Sequence, residues 1–402
     1  MKWHYNLLIG IINSLEQIFL FNRPAIKVVE KLIEKNKKWG SRDRKIVSST
    51  IFEIVRWLRK FAYLSDLNEI SSKKDLWTIL GSVIIMKDQT LPDFKEFSDI
   101  NSEKIMEKSM KINERKIRES IPDWLEQMGV KNFGEKFWNK EVEAFNIKAN
   151  LVLRCNNIKS NIKDLKEQLK NENIDSYTKK GYPDALIIKN HLKVTNLKYY
   201  KLGFFEIQDG NSQKVASSCN LKSGMTVIDA CAGAGGKSLH IASILNNIGK
   251  VISLDPIDFK LKELNKRANR NGIKIIETIK SSKISSISNL IEKADRVLID
   301  APCSGLGVLK RNPDAKWKMN PKKIKTLIKT QKNLLEIWSK YVKKGGELIY
   351  STCSIFNQEN TDQIKKFLKS KPGKNFHLTK ESTYFSHDTG FDGFYIAQLK
   401  KL

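Results

Sequence analysis

With 402 residues, 40% hydrophobic and 29% charged, the chain is too long for one ordinary core, so two or three globular domains are expected. A net charge of +28 points to a polyanionic partner such as nucleic acid, without separating RNA from DNA. Five cysteines are too few and too scattered for a disulfide framework, which fits a reducing, cytoplasmic compartment.

The first apolar run, Leu7 to Ile12, gives way to Asn13, Glu16 and Gln17 and lacks a small-residue cleavage site. It is too short to span a membrane and reads as an amphipathic helix. Val47, Ile51, Ile54, Val55, Leu58 and Phe61 recur at three- and four-residue steps, which predicts one helical stripe behind the Gly40-Ser41 break. Arg42, Arg44, Lys45, Arg56, Arg59 and Lys60 occupy the other face, either solvated or in contact with RNA. Further helical patches run through Trp77 to Met86 and on to Met128, so residues 1–130 read as a helical domain.

From Ala149 the pattern changes. Strands at Leu151–Arg154 and Ala185–Ile188 enclose a charged helix at Ile162–Leu169, predicting a small α+β module over 131–205. Cys155 and Cys219 carry no surrounding motif and read as packing. Over 206–402 strands and helices alternate: Val227–Ala230, Val251–Leu254, Lys274–Ile279, Arg296–Ile299 and Glu347–Tyr350 are the strands, with a closing strand at Phe394–Leu399. That alternation predicts an α/β, Rossmann-like, doubly wound sheet.

The chemistry-bearing residues fall at strand ends, where open α/β sheets build ligand sites. The first loop reads Asp229-Ala-Cys-Ala-Gly-Ala-Gly-Gly-Lys-Ser238. It is not a phosphate P-loop, because Cys231 stands where the first glycine should be. Asp255, at the end of the next strand, is placed to hold a ribose diol, so any adenosine-type ligand fits. The loop after the fourth strand, Asp300-Ala-Pro-Cys-Ser-Gly, sets a thiol beside an acid, and Ser351-Thr-Cys-Ser354 ends another strand with a second thiol. Lys310, Arg311, Lys316 and Lys318 around Asn312-Pro-Asp-Ala315 suggest a basic collar for a phosphate backbone that also lowers a thiol pKa.

Asp300-Ala-Pro-Cys-Ser-Gly, Lys310-Arg-Asn-Pro-Asp-Ala-Lys-Trp317, Tyr350-Ser-Thr-Cys-Ser-Ile and Asp392-Gly-Phe-Tyr resemble the RsmB/Nop/Sun family of RNA cytosine-5 methyltransferases. Gly40-Ser-Arg-Asp-Arg44 through Val55-Arg-Trp57 is similar to the NusB-like helical domain of its RsmB branch. The resemblance implies a class I methyltransferase domain using S-adenosylmethionine, an RRM-like middle module, and small-subunit ribosomal RNA as substrate. It implies Cys353 as nucleophile and Cys303 as the thiol assisting product release, an order the residues alone do not fix. Asp300 would hold the cytosine edge, with Lys237 reaching the same pocket. Cys231, Ala232, Gly233, Ala234, Gly235, Gly236 and Lys237 would meet the methionine end of the cofactor, and Asp255, Lys260 and Asp300 would complete its site. Lys310, Arg311, Lys316, Arg42 and Arg44 would contact RNA. No metal, no membrane and a monomeric state are expected.

Three departures from the family pattern stand out. Ala234 replaces a frequent proline and Lys260 a common arginine. The acid that usually meets the adenine is missing from Ile279-Lys-Ser-Ser282, leaving Ser281 or Ser282 as substitutes. Two rival functions remain at this level. A non-catalytic RNA-binding or assembly factor needs neither thiol nor the glycine loop. A nicotinamide-dependent oxidoreductase leaves both thiols and the charge unexplained.

Overall fold

The computed structural model describes residues 3–189 and 192–402, which divide into two compact units. Unit 1 holds residues 1–147 together with 309–320, and unit 2 holds 148–308 and 321–402.

Unit 1 is helical: α1 (Tyr5–Phe19), α2 (Ala25–Lys35), α3 (Ser41–Leu64), α4 (Lys73–Ile85), α5 (Ser102–Met110), α6 (Arg115–Arg118), α7 (Asp123–Phe133) and α8 (Glu135–Asn146). The predicted stripe on α3 is buried from Val47 to Phe61 against Leu8, Ile11 and Leu15 of α1 and Leu80 of α4. Ser72 and Asp75 close a reciprocal capping box at the start of α4. Residue 130 falls inside α7, and helical structure continues to Asn146. The helices there are held by Trp138, fully buried against Gly129, where any added Cβ would collide with the indole.

The excursion 309–320 carries α14 (Ala315–Lys318) and belongs to this helical unit. α3 kinks at Trp57, where φ −108° and ψ 23° leave the helical range. Carbonyls around the kink find partners in the excursion: Trp317 Nε1 donates to Val55 O (2.6 Å) and Lys316 Nζ to Arg56 O (2.8 Å). Asp314 accepts the backbone N–H of Ala25 at the start of α2 (3.0 Å). The expected exposed collar is therefore corrected at Lys310 and Lys316, both buried. Burial also drives the Lys316 pKa well below its usual value, with Arg56 adding to the effect. On the basic face of α3, Arg56 donates to Phe145 O and Lys310 O, and Arg59 to Ile121 O and Asp123. Those two arginines are internal fastenings.

Unit 2 contains two sheets. The smaller joins β1 (Leu151–Cys155), β2 (Ser176–Thr178), β3 (Ala185–Ile188) and β4 (Phe205–Ile207) in the order β2-β3-β1-β4, all antiparallel. α9 (Ile162–Asn171) packs Leu165 and Leu169 on Leu153, Leu186 and Phe205. A division at 205/206 would cut β4, which pairs with β1 in register Arg154↔Glu206. Cys155 and Cys219 are buried, as expected of packing thiols.

A short α10 (Lys198–Lys201) precedes β4, and α11 (Gly210–Ser217) leads into the larger sheet. Its strands are β5 (Thr226–Asp229), β6 (Lys250–Asp255), β7 (Ile276–Lys280), β8 (Ala294–Asp300), β9 (Val342–Thr352), β10 (Phe376–Tyr384) and β11 (Phe394–Lys401), ordered β10-β11-β9-β8-β5-β6-β7. β5 to β9 are parallel, and β10 and β11 close one edge antiparallel. α12 (Gly236–Ile244), α13 (Asp258–Asn271), α15 (Pro321–Trp338), α16 (Thr361–Lys369) and the short α17 (Ser386–Thr389) supply the helical turns between them. β10 was not anticipated: its alternate residues are largely exposed, so it has no apolar stripe. The strand order reverses between β5 and β8, which places the crevice at their carboxyl ends.

Candidate active site at the carboxyl ends of β5, β6, β8 and β9

Four strand ends deliver the predicted residues to one face. Asp229 ends β5, Asp255 ends β6, Asp300 ends β8, and Cys353 follows the last residue of β9. Parallel register puts Asp300 opposite Ser351. The Ser351 hydroxyl donates to Asp300 Oδ1 (2.9 Å), and Lys237 Nζ from the first turn of α12 donates to Asp300 Oδ2 (2.6 Å). Burial opposes the Lys237 charge, but Asp300 outweighs it and raises the ammonium pKa. The ammonium also lies 5.3 Å from the Phe394 ring centroid.

The two thiols meet. Cys303 Sγ and Cys353 Sγ are 3.3 Å apart. Contact with Cys353, then burial, pushes the Cys303 thiol well above its usual value. Each loop is fixed from behind. Glu359, fully buried, accepts the Ser304 N–H (2.8 Å) and hydroxyl (2.5 Å), while Gln331 donates to both Glu359 (3.1 Å) and Pro302 O (3.1 Å). Asn360 accepts from Thr352 (2.6 Å) and donates to Ser354 O (2.9 Å). Gly307 N donates to Cys353 O (2.9 Å), and Gly393 N to Gly307 O (2.7 Å). A Cβ on Gly307 would stand 2.3 Å from Gly393 O, so glycine is obligatory where the two thiol loops cross.

The glycine loop is built differently. Gly233 and Gly235 take φ +56° and +87°, and nothing lies within 4 Å of a Cβ on Gly233. Asp255, almost fully buried, accepts the N–H groups of Gly233 (3.0 Å) and Ile257 (2.9 Å), with Lys260 Nζ 3.7 Å away. Asp229 accepts from Ser238 (2.6 Å), and burial pushes it up to about 6. Burial likewise raises the Cys231 thiol. Ser281 follows β7 directly.

Sequence reasoning did not find Glu359, Gln331, Asn360 or the arginines behind the glycine loop. Only the polar run Asn357-Gln-Glu-Asn360 after the second thiol signalled any of them, and polarity there reads as exposure.

Comparison with known proteins gives this geometry a family. A model described as 16S rRNA methyltransferase RsmB/F matches residues 216–400, and one for the ferredoxin-like domain of RsmF/B-like proteins matches 121–195. A Synechocystis protein named as a probable ribosomal RNA small subunit methyltransferase B is 33% identical over 70% of this chain and 67% of its own length. The chain belongs to the RsmB/F methyltransferase family. The ribosomal RNA small subunit methyltransferase B of Proteus mirabilis is 29% identical over 81% of this chain and 76% of its own. Two solved structures share the fold. The crystal structure of PH0851 aligns over 100% of both chains at TM-score 0.84 and 22% identity. A methyltransferase homologue from Pyrococcus horikoshii aligns over 72% of this chain and 98% of its own, at TM-score 0.64 and 22% identity. The chain thus spans about two thirds to three quarters of these curated relatives. Among the described residues, no helix is long and apolar enough to cross a membrane.

Proposed function

We propose that this chain methylates carbon 5 of a cytosine in small-subunit ribosomal RNA through a transient bond between Cys353 and carbon 6. One observation carries the reading: two thiols 3.3 Å apart at the ends of adjacent parallel strands, beside the Lys237–Asp300 pair. The names of the curated relatives support ribosomal RNA as the substrate.

Carbon 5 of cytosine is a weak nucleophile. Addition of the Cys353 thiolate to carbon 6 makes an enamine whose carbon 5 can attack an electrophile. Cys303, held protonated, donates to the neighbouring sulfur, stabilising the thiolate before attack and after release. Asp300, bridging Ser351 and Lys237, presents an acceptor edge for the exocyclic amine or a protonated N3. Once carbon 5 is substituted, its proton passes to a base in the pocket and the sulfur–carbon bond breaks, restoring the ring and the Cys353 thiolate. The base must leave its stack to reach these groups, so a loop or opened helix is the substrate form.

S-adenosylmethionine supplies an electrophilic methyl group when bound. The chain's donor set fits it: Asp255 uses one lone pair of each oxygen on backbone N–H groups, leaving others for a ribose diol, and Gly233 offers backbone with open space above it. Residues 231–237 and Lys260 would complete that site, with Ser281 or Ser282 beside the adenine. Arg42, which is exposed, and Arg44, which donates to Lys37 O, remain RNA contacts in this reading, with Arg311.

Denaturing gels of enzyme with ribosomal RNA and cofactor test the mechanism. Cys353→Ala abolishes transfer and forms no adduct, whereas Cys303→Ala accumulates a covalent protein–RNA band. The opposite pattern reverses the two roles, and no band in either variant removes the covalent step. Bisulfite sequencing of the product must show new 5-methylcytosine; methylation at another atom overturns the base assignment.

A further inference from the structure

The glycine loop carries one carbonyl that no helix or strand partner holds in place, that of Ala234, and it runs into the first carbonyl of α12, that of Gly236. Both accept a guanidinium. Arg267 Nη1, from α13, donates to Ala234 O (2.6 Å), and Arg154 Nη1, from β1 of the small sheet, donates to Gly236 O (2.5 Å). Two arginines from different elements therefore reach the glycine loop and the helix start that follows it.

Neither arginine stands alone. Glu206 of β4 is 2% exposed and faces Arg154 directly across the β1–β4 ladder. Its Oε2 accepts Nη2 (2.9 Å) and Nε (3.3 Å) of Arg267, and its Oε1 takes Arg270 and Asn271. Gln208, just past the end of β4, accepts from Arg154 Nη1 (2.5 Å). Burial opposes the Glu206 charge, but Arg267, Arg270 and Arg154 outweigh it and hold the carboxyl below its usual range. The carboxylate thus stays ionised and fixes Arg267 through a two-pronged contact that lysine cannot reproduce.

The softness of the loop gives this arrangement a purpose. Gly233 and Gly235 both have left-handed φ and flank Ala234, so few steric contacts restrain the Ala234 peptide, whose Gly235 N–H donates to Ala232 O (2.9 Å). A rotated peptide would break that bond and reshape the backbone facing the crevice. We infer that Arg267, oriented by Glu206, is a positioning residue that locks the glycine loop for S-adenosylmethionine, with Arg154 fixing the loop's far end from the small sheet. The small module is then part of the cofactor site's frame. The inference rests on the cofactor reading of the loop but adds residues outside the strand-end motifs.

The test measures S-adenosylmethionine binding by calorimetry, together with kcat and KM on ribosomal RNA, for Arg267→Met and Arg267→Lys. Losing one charged hydrogen bond to the loop should weaken cofactor binding about tenfold or more. kcat at saturating cofactor and the affinity for RNA should stay near wild type. Arg267→Lys, keeping one donor but not the paired contact, should fall between. A lowered melting temperature with unchanged cofactor affinity would make Arg267 a mere fastening and overturn the inference. If Arg267→Met does not fold, the lysine variant decides alone: its cofactor affinity must drop. Absence of binding in the wild-type protein would instead overturn the cofactor reading itself.

Discussion

The glycine loop and the paired thiol loops sit at neighbouring strand ends, yet they are held in opposite ways. The glycine loop offers backbone N–H groups to a ligand, so what must be restrained is its carbonyls, and cations do it: Arg267 at Ala234 and Arg154 at Gly236. The thiol loops offer side chains, so what must be restrained is the chain beneath them. A buried acceptor, Glu359, does that by accepting the N–H and hydroxyl of Ser304. Each loop is gripped by a partner that complements the backbone group it leaves unused. The thiol side should therefore tolerate less, because sulfur positions depend on every contact below them.

Breaking that contrast begins with Gly307→Ala. Its Cβ would meet Gly393 O at 2.3 Å and Cys353 O at 2.9 Å, both backbone atoms that cannot yield. A loss of about 3 kcal/mol in urea unfolding and no detectable transfer are expected. Near wild-type activity would show that the crossing of the thiol loops is not required.

Glu359→Ala should come next. It strands the Ser304 N–H, the Ser304 hydroxyl and the Gln331 amide in a buried space, costing roughly 2–3 kcal/mol. Cofactor affinity should hardly move while transfer collapses. Equal damage to both would erase the difference between the two sides.

Gly233→Ala probes the tolerant side. Space is open there, so the cost is the left-handed φ alone, about 1 kcal/mol. The effect should appear as a higher KM for S-adenosylmethionine with kcat kept. A loss of kcat instead would mean the loop also places the methyl group.

A further effect, outside both loops, is on pH. Burial, reinforced by Arg154, depresses His240 to about 4, beside Asp184 at 3.1 Å. A folded-state value below the unfolded one gives stability that is present above pH ~6.5 and is lost as pH falls through the window toward ~4. At pH 5 the loss from this residue is about 2 kcal/mol. Asp229, raised to about 6, has the opposite sign, adding stability as pH falls from ~6 to ~4. His240→Asn should flatten the acid loss in urea melts at pH 5 and 7; an unchanged slope would assign that loss to other groups.

The strand-end residues were legible from sequence because α/β alternation puts every strand's carboxyl end on one face. Asp229, Asp255, Asp300 and Cys353 needed only correct strand boundaries, and short apolar runs provide those. The apolar stripe of α3 was legible for the same local reason. β10 was not, since an exposed strand lacks an apolar stripe; the helix to Asn146 does carry Trp138, Val142 and Phe145 at helical spacing and was passed over.

Tertiary structure alone decided the rest. Lys310 and Lys316 look like solvent-facing cations in sequence, but a kink in α3 and the return of 309–320 to the helical unit bury them. Glu206, Glu359 and Arg154 look like surface charge, and only the fold shows them paired inside. Periodicity encodes which face of an element is apolar, whereas a buried ion's partners come from remote segments that share no local signal.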